Sequence, residues 1–156
     1  MSRIIIGFAL AVAACYVAGT AFISHGNIQA VARMGMDVTL SNRIDAALHD
    51  MTHMYAVYLP LVVVGLLIAF VVAAGIIRYL LPDMRFAGYV SAGFVAMIAL
   101  HVIMKAVVGV SGIAATREIS GLLLQGAAGA IGGCIYHLVT SPAAERKAVT
   151  TNATTA

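Results

Sequence analysis

Four long apolar runs, separated by shorter polar stretches, organise this chain. They cover about Ile4–Ile23, Met54–Ile77, Phe86–Val110 and Ile119–Val139. A helix needs about 20 apolar residues, at about 1.5 Å each, to cross a hydrocarbon core roughly 30 Å thick. All four runs reach that length. They lack the short alternating segments of a membrane barrel. The pattern therefore predicts an all-α integral membrane four-helix bundle.

The polar stretches refine the plan. Within 24–53, Leu40, Ile44, Leu48 and Met51 recur every three or four residues and form one apolar stripe. Thr39 or Ser41 is placed to cap its start. No breaker separates this stretch from the second run, so one long helix is expected to begin near Ser41, an amphipathic periplasmic extension before the second span. The first half of the segment, with Gly26 and Gly35, reads as a loop or a short interfacial helix. Pro82 and Asp83 mark a tight turn, because proline removes a donor and crowds the preceding helical turn. The second and third spans should form a hairpin. Gly109, Ser111 and Gly112 break the third run at its other end. The Thr- and Ala-rich tail, 141–156, has little to bury and is expected to be disordered.

Composition supports the bilayer. The 156 residues are 62% hydrophobic and 10% charged, against about 25% charged in ordinary soluble domains. A soluble domain this small leaves too much surface in water to hide such a fraction. The net charge is +3, but the basic residues are scattered and form no stripe interleaved with aromatics, which argues against nucleic acid. They read instead as topology signals. Arg3, Arg78, Arg85, Arg146 and Lys147 fall on one side of four alternating spans, and Arg33, Arg43 and Arg117 on the other. Both termini should face the cytoplasm of a bacterial-type inner membrane, with 24–53 in the periplasm. The first run contains Val12-Ala13-Ala14-Cys15, loosely a lipoprotein cleavage box. It continues to Ile23, which a secretory signal does not need, so a retained helix is expected. Tryptophan is absent, so Tyr55, Tyr58, Tyr79, Tyr89 and Tyr136 are expected to form the interfacial belt. Cys15 and Cys134 lie in apolar runs without metal-ligand spacing and read as small hydrophobes.

Candidate chemistry centres on His101 and Lys105, four residues apart in the third run. A cation in hydrocarbon costs at least about 2.5 to 3.5 kcal/mol, so such residues face a protein interior or a wet cavity, or snorkel to the surface. Gln125, with Arg117 and Glu118, lies at the same end of the fourth run, and Tyr58 at the same end of the second. This set predicts a periplasm-facing polar pocket for a small or amphiphilic ligand, in a transport or accessory subunit. Lys105 is placed to bind an anion or pair with Glu118. The alternative from another class is a membrane enzyme using His101, Lys105 and Glu118 for acid–base work on a lipid-like substrate. A purely structural role, with His101 bonded to a neighbouring helix, explains the same residues.

Asp45, His49 and His53 share a helix face at four-residue spacing, with Met34, Met36, Met51 and Met54 nearby. Imidazole with carboxylate suits zinc and imidazole with thioether suits copper. A solvated polar face is the plainer reading. Haem is not expected, because His101 has no histidine at its own depth.

Small residues recur as Gly126/Ala130 and Gly129/Gly133 in the fourth run, and as Gly7, Ala11, Ala14 and Ala18 in the first. Lipid solvates leucine as well as a helix does, so membrane helices associate through close approach at small residues. These faces predict contact between the two helices, a homo-oligomer interface, or both. The chain reproduces neither the Arg- and Asn/Glu-containing signature of the trimeric membrane-associated eicosanoid and glutathione enzymes nor the first-helix glutamate of small multidrug transporters.

Overall fold

The computed structural model describes residues 2–108 and 118–141. The expectations for Gly109, Ser111, Gly112 and Arg117, and for 142–156 with Arg146 and Lys147, lie outside them. The described residues form five α-helices and one short 3-10 turn: α1 Ser2–Arg33, α2 Leu40–His53, α3 Tyr55–Tyr79, the turn Pro82–Met84, α4 Arg85–Val108 and α5 Ile119–Thr140. α1, α3, α4 and α5 are long and apolar enough to cross a membrane. Val57, Ile68, Val71 and Val102 each expose more than half their surface. In water that surface would cost about 25 cal/mol per Å², whereas in lipid it costs nothing.

α5 is the central helix, packed along α1 on one side and α4 on the other. The α4 contact is very close. A Cβ on Gly93 would strike the Gly129 carbonyl, one on Gly129 would strike the Gly93 carbonyl, and one on Gly133 the Tyr89 carbonyl. On the opposite side, a Cβ on Gly132 would lie 3.0 Å from the Ala11 carbonyl oxygen. The small-residue faces of α5 are thus occupied by helices of the same chain. On α1 the inner row is Gly7, Ala11, Cys15, Gly19 and Ile23, a strict four-residue ridge, all buried. The expected row through Ala14 and Ala18 is rotated from this one by one residue. Ridges at four-residue spacing are what a neighbouring helix receives in its groove.

α1 continues past its apolar run to Arg33, so its 32 residues make a rod about 48 Å long. Of the two readings for the first half of 24–53, a loop or a short interfacial helix, the stretch to Arg33 is helical, but as a continuation of α1 and not a separate helix. The chain turns only at 34–39, where Gly35 has φ +83°, a left-handed conformation that glycine adopts without steric cost. Thr39 caps α2, its hydroxyl oxygen accepting from the Asn42 amide at 3.3 Å. α2 then runs back along α1 with no buried residue of its own.

The expected continuous helix from Ser41 is broken at Met54. Pro60 has no N–H for the Ala56 carbonyl, and its ring crowds that carbonyl. The first turn of α3 tightens accordingly, the Met54 carbonyl accepting from both Val57 N at 3.3 Å and Tyr58 N at 2.9 Å. The Met51 carbonyl, near the frayed end of α2, accepts a hydrogen bond from the Tyr16 hydroxyl of α1 at 2.6 Å. A carbonyl left open at a helix end needs such a partner.

The tyrosines do not form the expected belt. Tyr55 and Tyr79 are exposed, but Tyr58, Tyr89 and Tyr136 are buried. Tyr89 and Tyr136 join Phe70 in a cluster with centroids 4.6 to 5.8 Å apart, and Phe8 abuts Phe70 edge-on at 6.3 Å. Aromatic edge-to-face and stacked pairs add to simple burial. This cluster fills the half of the bundle nearer the Pro82 turn, and a polar layer occupies the other half.

Candidate functional site

The polar layer is built by one residue from each spanning helix. Gly19 of α1 exposes its backbone because it has no side chain. Into that gap come the Tyr58 hydroxyl of α3 and the Gln125 amide of α5. Tyr58 Oη donates to Gln125 Oε1 at 2.6 Å. Gln125 Nε2 donates to the Gly19 carbonyl at 3.0 Å. Both side chains are less than 3% exposed. A chain of neutral groups in which each donor finds an acceptor avoids the cost of burying a charge in hydrocarbon. Any Cβ at position 19 would collide with the Tyr58 hydroxyl.

His101 closes the layer from α4. It is 3% exposed, and its ring centroid lies 6.2 Å from that of Tyr58. Its Nδ1 donates to the Met97 carbonyl one turn earlier, at 2.7 Å. The proton is therefore on Nδ1, and Nε2 is left as an acceptor. That nitrogen is buried and has no hydrogen-bond partner among the described residues. Around the layer, Thr20 donates to the Tyr16 carbonyl at 2.9 Å, and the Tyr16 ring lies 5.9 Å from Tyr58.

Three of the residues singled out from sequence, Tyr58, His101 and Gln125, are thus brought together. Lys105 and Glu118 are not. Lys105 is exposed and, among the described residues, has no hydrogen-bond or ion-pair partner. Glu118 pairs with Arg33 rather than Lys105, Nη1 to Oε1 at 3.1 Å, and both side chains are about two-thirds exposed. Arg117 lies outside the described residues. Gly19, Tyr16 and Thr20 were missed. Gly19 had a signal, since it continues the four-residue spacing of Gly7 and Ala11. Tyr16 and Thr20 had none beyond being polar groups in an apolar run.

The Asp45, His49 and His53 face is exposed on α2. The two imidazoles stack with centroids 3.9 Å apart and planes 20° from parallel, rather than converging on a point. Asp45 accepts from the Ser41 hydroxyl at 3.3 Å. Among the described residues, no three His, Cys, Asp or Glu side chains come together as a metal site.

A second feature lies beside the layer. α3 and α4 splay apart on their outer side and leave a groove of about 910 Å³. Its wall on α3 is bulky, with Val64, Ile68 and Val72. Its floor on α4 is small over Ala92, Ala96 and Ala99 and becomes bulky beyond them, at Leu100, Ile103 and Val107. Ser91 is its one hydroxyl, and it is turned back onto the Ala87 carbonyl at 2.7 Å. The lining on α4 runs from Ala87 to Val107, about 30 Å of helix and so about the height of a bilayer core. None of Tyr58, His101 or Gln125 lines it.

Comparison with known families, with curated proteins and with solved structures finds no match.

Proposed function

We propose that this chain is a non-enzymatic membrane subunit that binds an amphiphilic, lipid-like molecule with its chain in the α3–α4 groove, and that it serves as a transport or accessory component. The observation that carries this reading is the groove. It is as tall as the hydrocarbon core, apolar along its length, and of a volume at the upper end of ordinary ligand pockets, about 300 to 1,000 Å³. The small stretch of its floor lets a single flexible chain lie close to the α4 backbone. The polar layer, packed and hydrogen-bonded, is then the lock that holds α1, α3 and α5 in register. The rival enzyme would need His101, Lys105 and Glu118 within hydrogen-bond reach of one reacting atom. Glu118 is held by Arg33, and among the described residues Lys105 has no partner, so this reading has less support.

The proposal places both termini in the cytoplasm of a bacterial inner membrane and the α1–α2 arm in the periplasm. Helix alternation gathers Arg3, Arg78 and Arg85 at one end of the bundle, which suits the excess of basic residues expected on the cytoplasmic side. A cysteine placed at Asp83 should resist an impermeant thiol reagent added from the periplasm, and labelling there would reverse the topology. Self-association is also proposed. Because α5 spends its small faces on α1 and α4, the outer face of α1, where Ile6, Leu10 and Val17 are exposed, is open to a second copy without covering the groove.

Native mass spectrometry with lipids retained tests the binding. The wild type should carry a bound amphiphile, and the same spectra count copies per particle. Val64→Trp and Val95→Trp project bulk into the groove from positions more than half exposed. They should release the amphiphile without unfolding the bundle. A wild type that retains none, or variants that retain it unchanged, would refute the proposal.

A further inference from the structure

We propose that a notch between α1 and α2, separate from the groove, is a binding site for one oxyanion of the phosphate or carboxylate type. The notch has a volume of about 180 Å³ and is lined by Ala21, Ser24, His25 and Ile28 of α1 and by Arg43 and Ala47 of α2. Its polar groups are donors, and no carboxylate lines it.

Ser24 is the first of them. It is 2% exposed, and among the described residues its hydroxyl has no hydrogen-bond partner. Other helical hydroxyls of this chain solve the same problem locally. Thr20, Thr52, Ser91 and Thr140 each donate to the carbonyl four residues earlier, at 2.7 to 3.0 Å. Ser24 does not. A buried hydroxyl without a partner is costly, and it needs only rotation about its own torsions to donate to a guest in the notch.

Arg43 is the second. Its side chain is half-buried, and among the described residues it has no ion pair or hydrogen bond. The nearest carboxylate in sequence, Asp45, is engaged by Ser41. The guanidinium presents a planar fork matched to two oxygens of one anion. His25 is the third. Its Nε2 accepts from the Gln29 amide at 3.1 Å, which leaves the Nδ1–H of the neutral ring as a donor.

A surplus of donors without acceptors selects a guest rich in acceptors. The space suits one small oxyanion with a few waters, since liquid water takes about 30 Å³ per molecule. Ser24 and His25 directly follow the apolar run ending at Ile23, so the notch sits at head-group depth when α1 crosses a bilayer. The oxyanion therefore comes either from a lipid phosphate or from a free ion.

Two arms test the site on the full chain in detergent and in lipid nanodiscs. In the first, inorganic phosphate is titrated against chloride at constant ionic strength while thermal unfolding is followed. In the second, native mass spectrometry compares retention of phosphatidylglycerol with a neutral diacylglycerol lacking phosphate. A midpoint that rises with phosphate supports a free-ion site. Preferential retention of phosphatidylglycerol supports a head-group site. In either arm Arg43→Gln should weaken binding at least tenfold, and Ser24→Ala about threefold or more. Ser24→Ala should also unfold no earlier than wild type in anion-free buffer, because it removes an unpartnered hydroxyl. That makes a lost response distinguishable from a lost fold. No response in either arm means the notch holds water alone and overturns the proposal. So does a response that survives both substitutions.

Discussion

Gly19→Ala places one methyl group at the tightest point of the polar layer. A Cβ there meets the Tyr58 hydroxyl head-on, Gln125 Oε1 at 3.1 Å and Tyr58 Cε1 at 3.2 Å. Tyr58 is 2% exposed, so its ring has nowhere to swing. The hydroxyl must leave the Gln125 amide, or α1 must back away from α3 and α5. Overpacking a close-packed site costs about 1 to 3 kcal/mol. Leaving a buried acceptor without its donor costs about 1 to 3 kcal/mol more. Against this stands helix propensity, which favours alanine over glycine by about 1 kcal/mol. The net expectation is a loss of about 1 to 5 kcal/mol. The sign decides the matter, because propensity alone would make the variant more stable.

A double-mutant cycle then isolates the cause. Tyr58→Phe removes the hydroxyl that the methyl group strikes. In that background Gly19→Ala should cost about 1 to 2 kcal/mol less than in the wild type. Cys15 is fully buried, so in a Cys134→Ala background a fluorogenic thiol reagent reports opening of the bundle during thermal unfolding in detergent. Stability equal to or above wild type for Gly19→Ala, or an equal loss in both backgrounds, would sink the account of the layer.

Other expectations follow from the same geometry. Gly129→Ala should destabilise by about 1 to 3 kcal/mol or more, because its Cβ meets the Gly93 backbone, which cannot yield without parting α4 from α5. Gly75→Ala faces open space and should be neutral or stabilising by up to about 1 kcal/mol in the same thiol assay. Glu118→Gln breaks an exposed ion pair and should change stability by about 1 kcal/mol or less in either direction. Lys105→Met should be neutral or stabilising, since it removes an unpartnered cation near the apolar zone. A loss approaching the roughly 3 to 5 kcal/mol of a broken buried pair would show that Lys105 has a partner after all.

Hydropathy is a local property, and what it determines was legible from the residues alone. The four apolar runs, the polar arm between the first two and the turn at Pro82 follow from run length and from proline's missing donor. The amphipathic stripe of α2 was legible for the same reason, because its polar and apolar faces differ. A helix whose every face is apolar carries no such mark. Rotating α1 by one residue, about 100°, leaves its hydropathy unchanged but replaces Gly19 with Ala18 on the inner face. Only packing against α5 chose between them, through the strict ridge from Gly7 to Ile23. Tyr89 and Tyr136 looked interfacial by their position near run ends. The gap around Phe70 decided that they face inward. Depth placed His101, Lys105, Gln125, Glu118 and Tyr58 in one half of the molecule, but depth is one coordinate of three. Azimuth, set by side-chain contacts between distant helices, joined Tyr58, Gln125 and His101 and gave Glu118 to Arg33. The chain's own residues stated that four of its helices are long and apolar enough to cross a membrane. Which of its polar groups touch was decided by the close approach of helices, which glycine permits but does not announce.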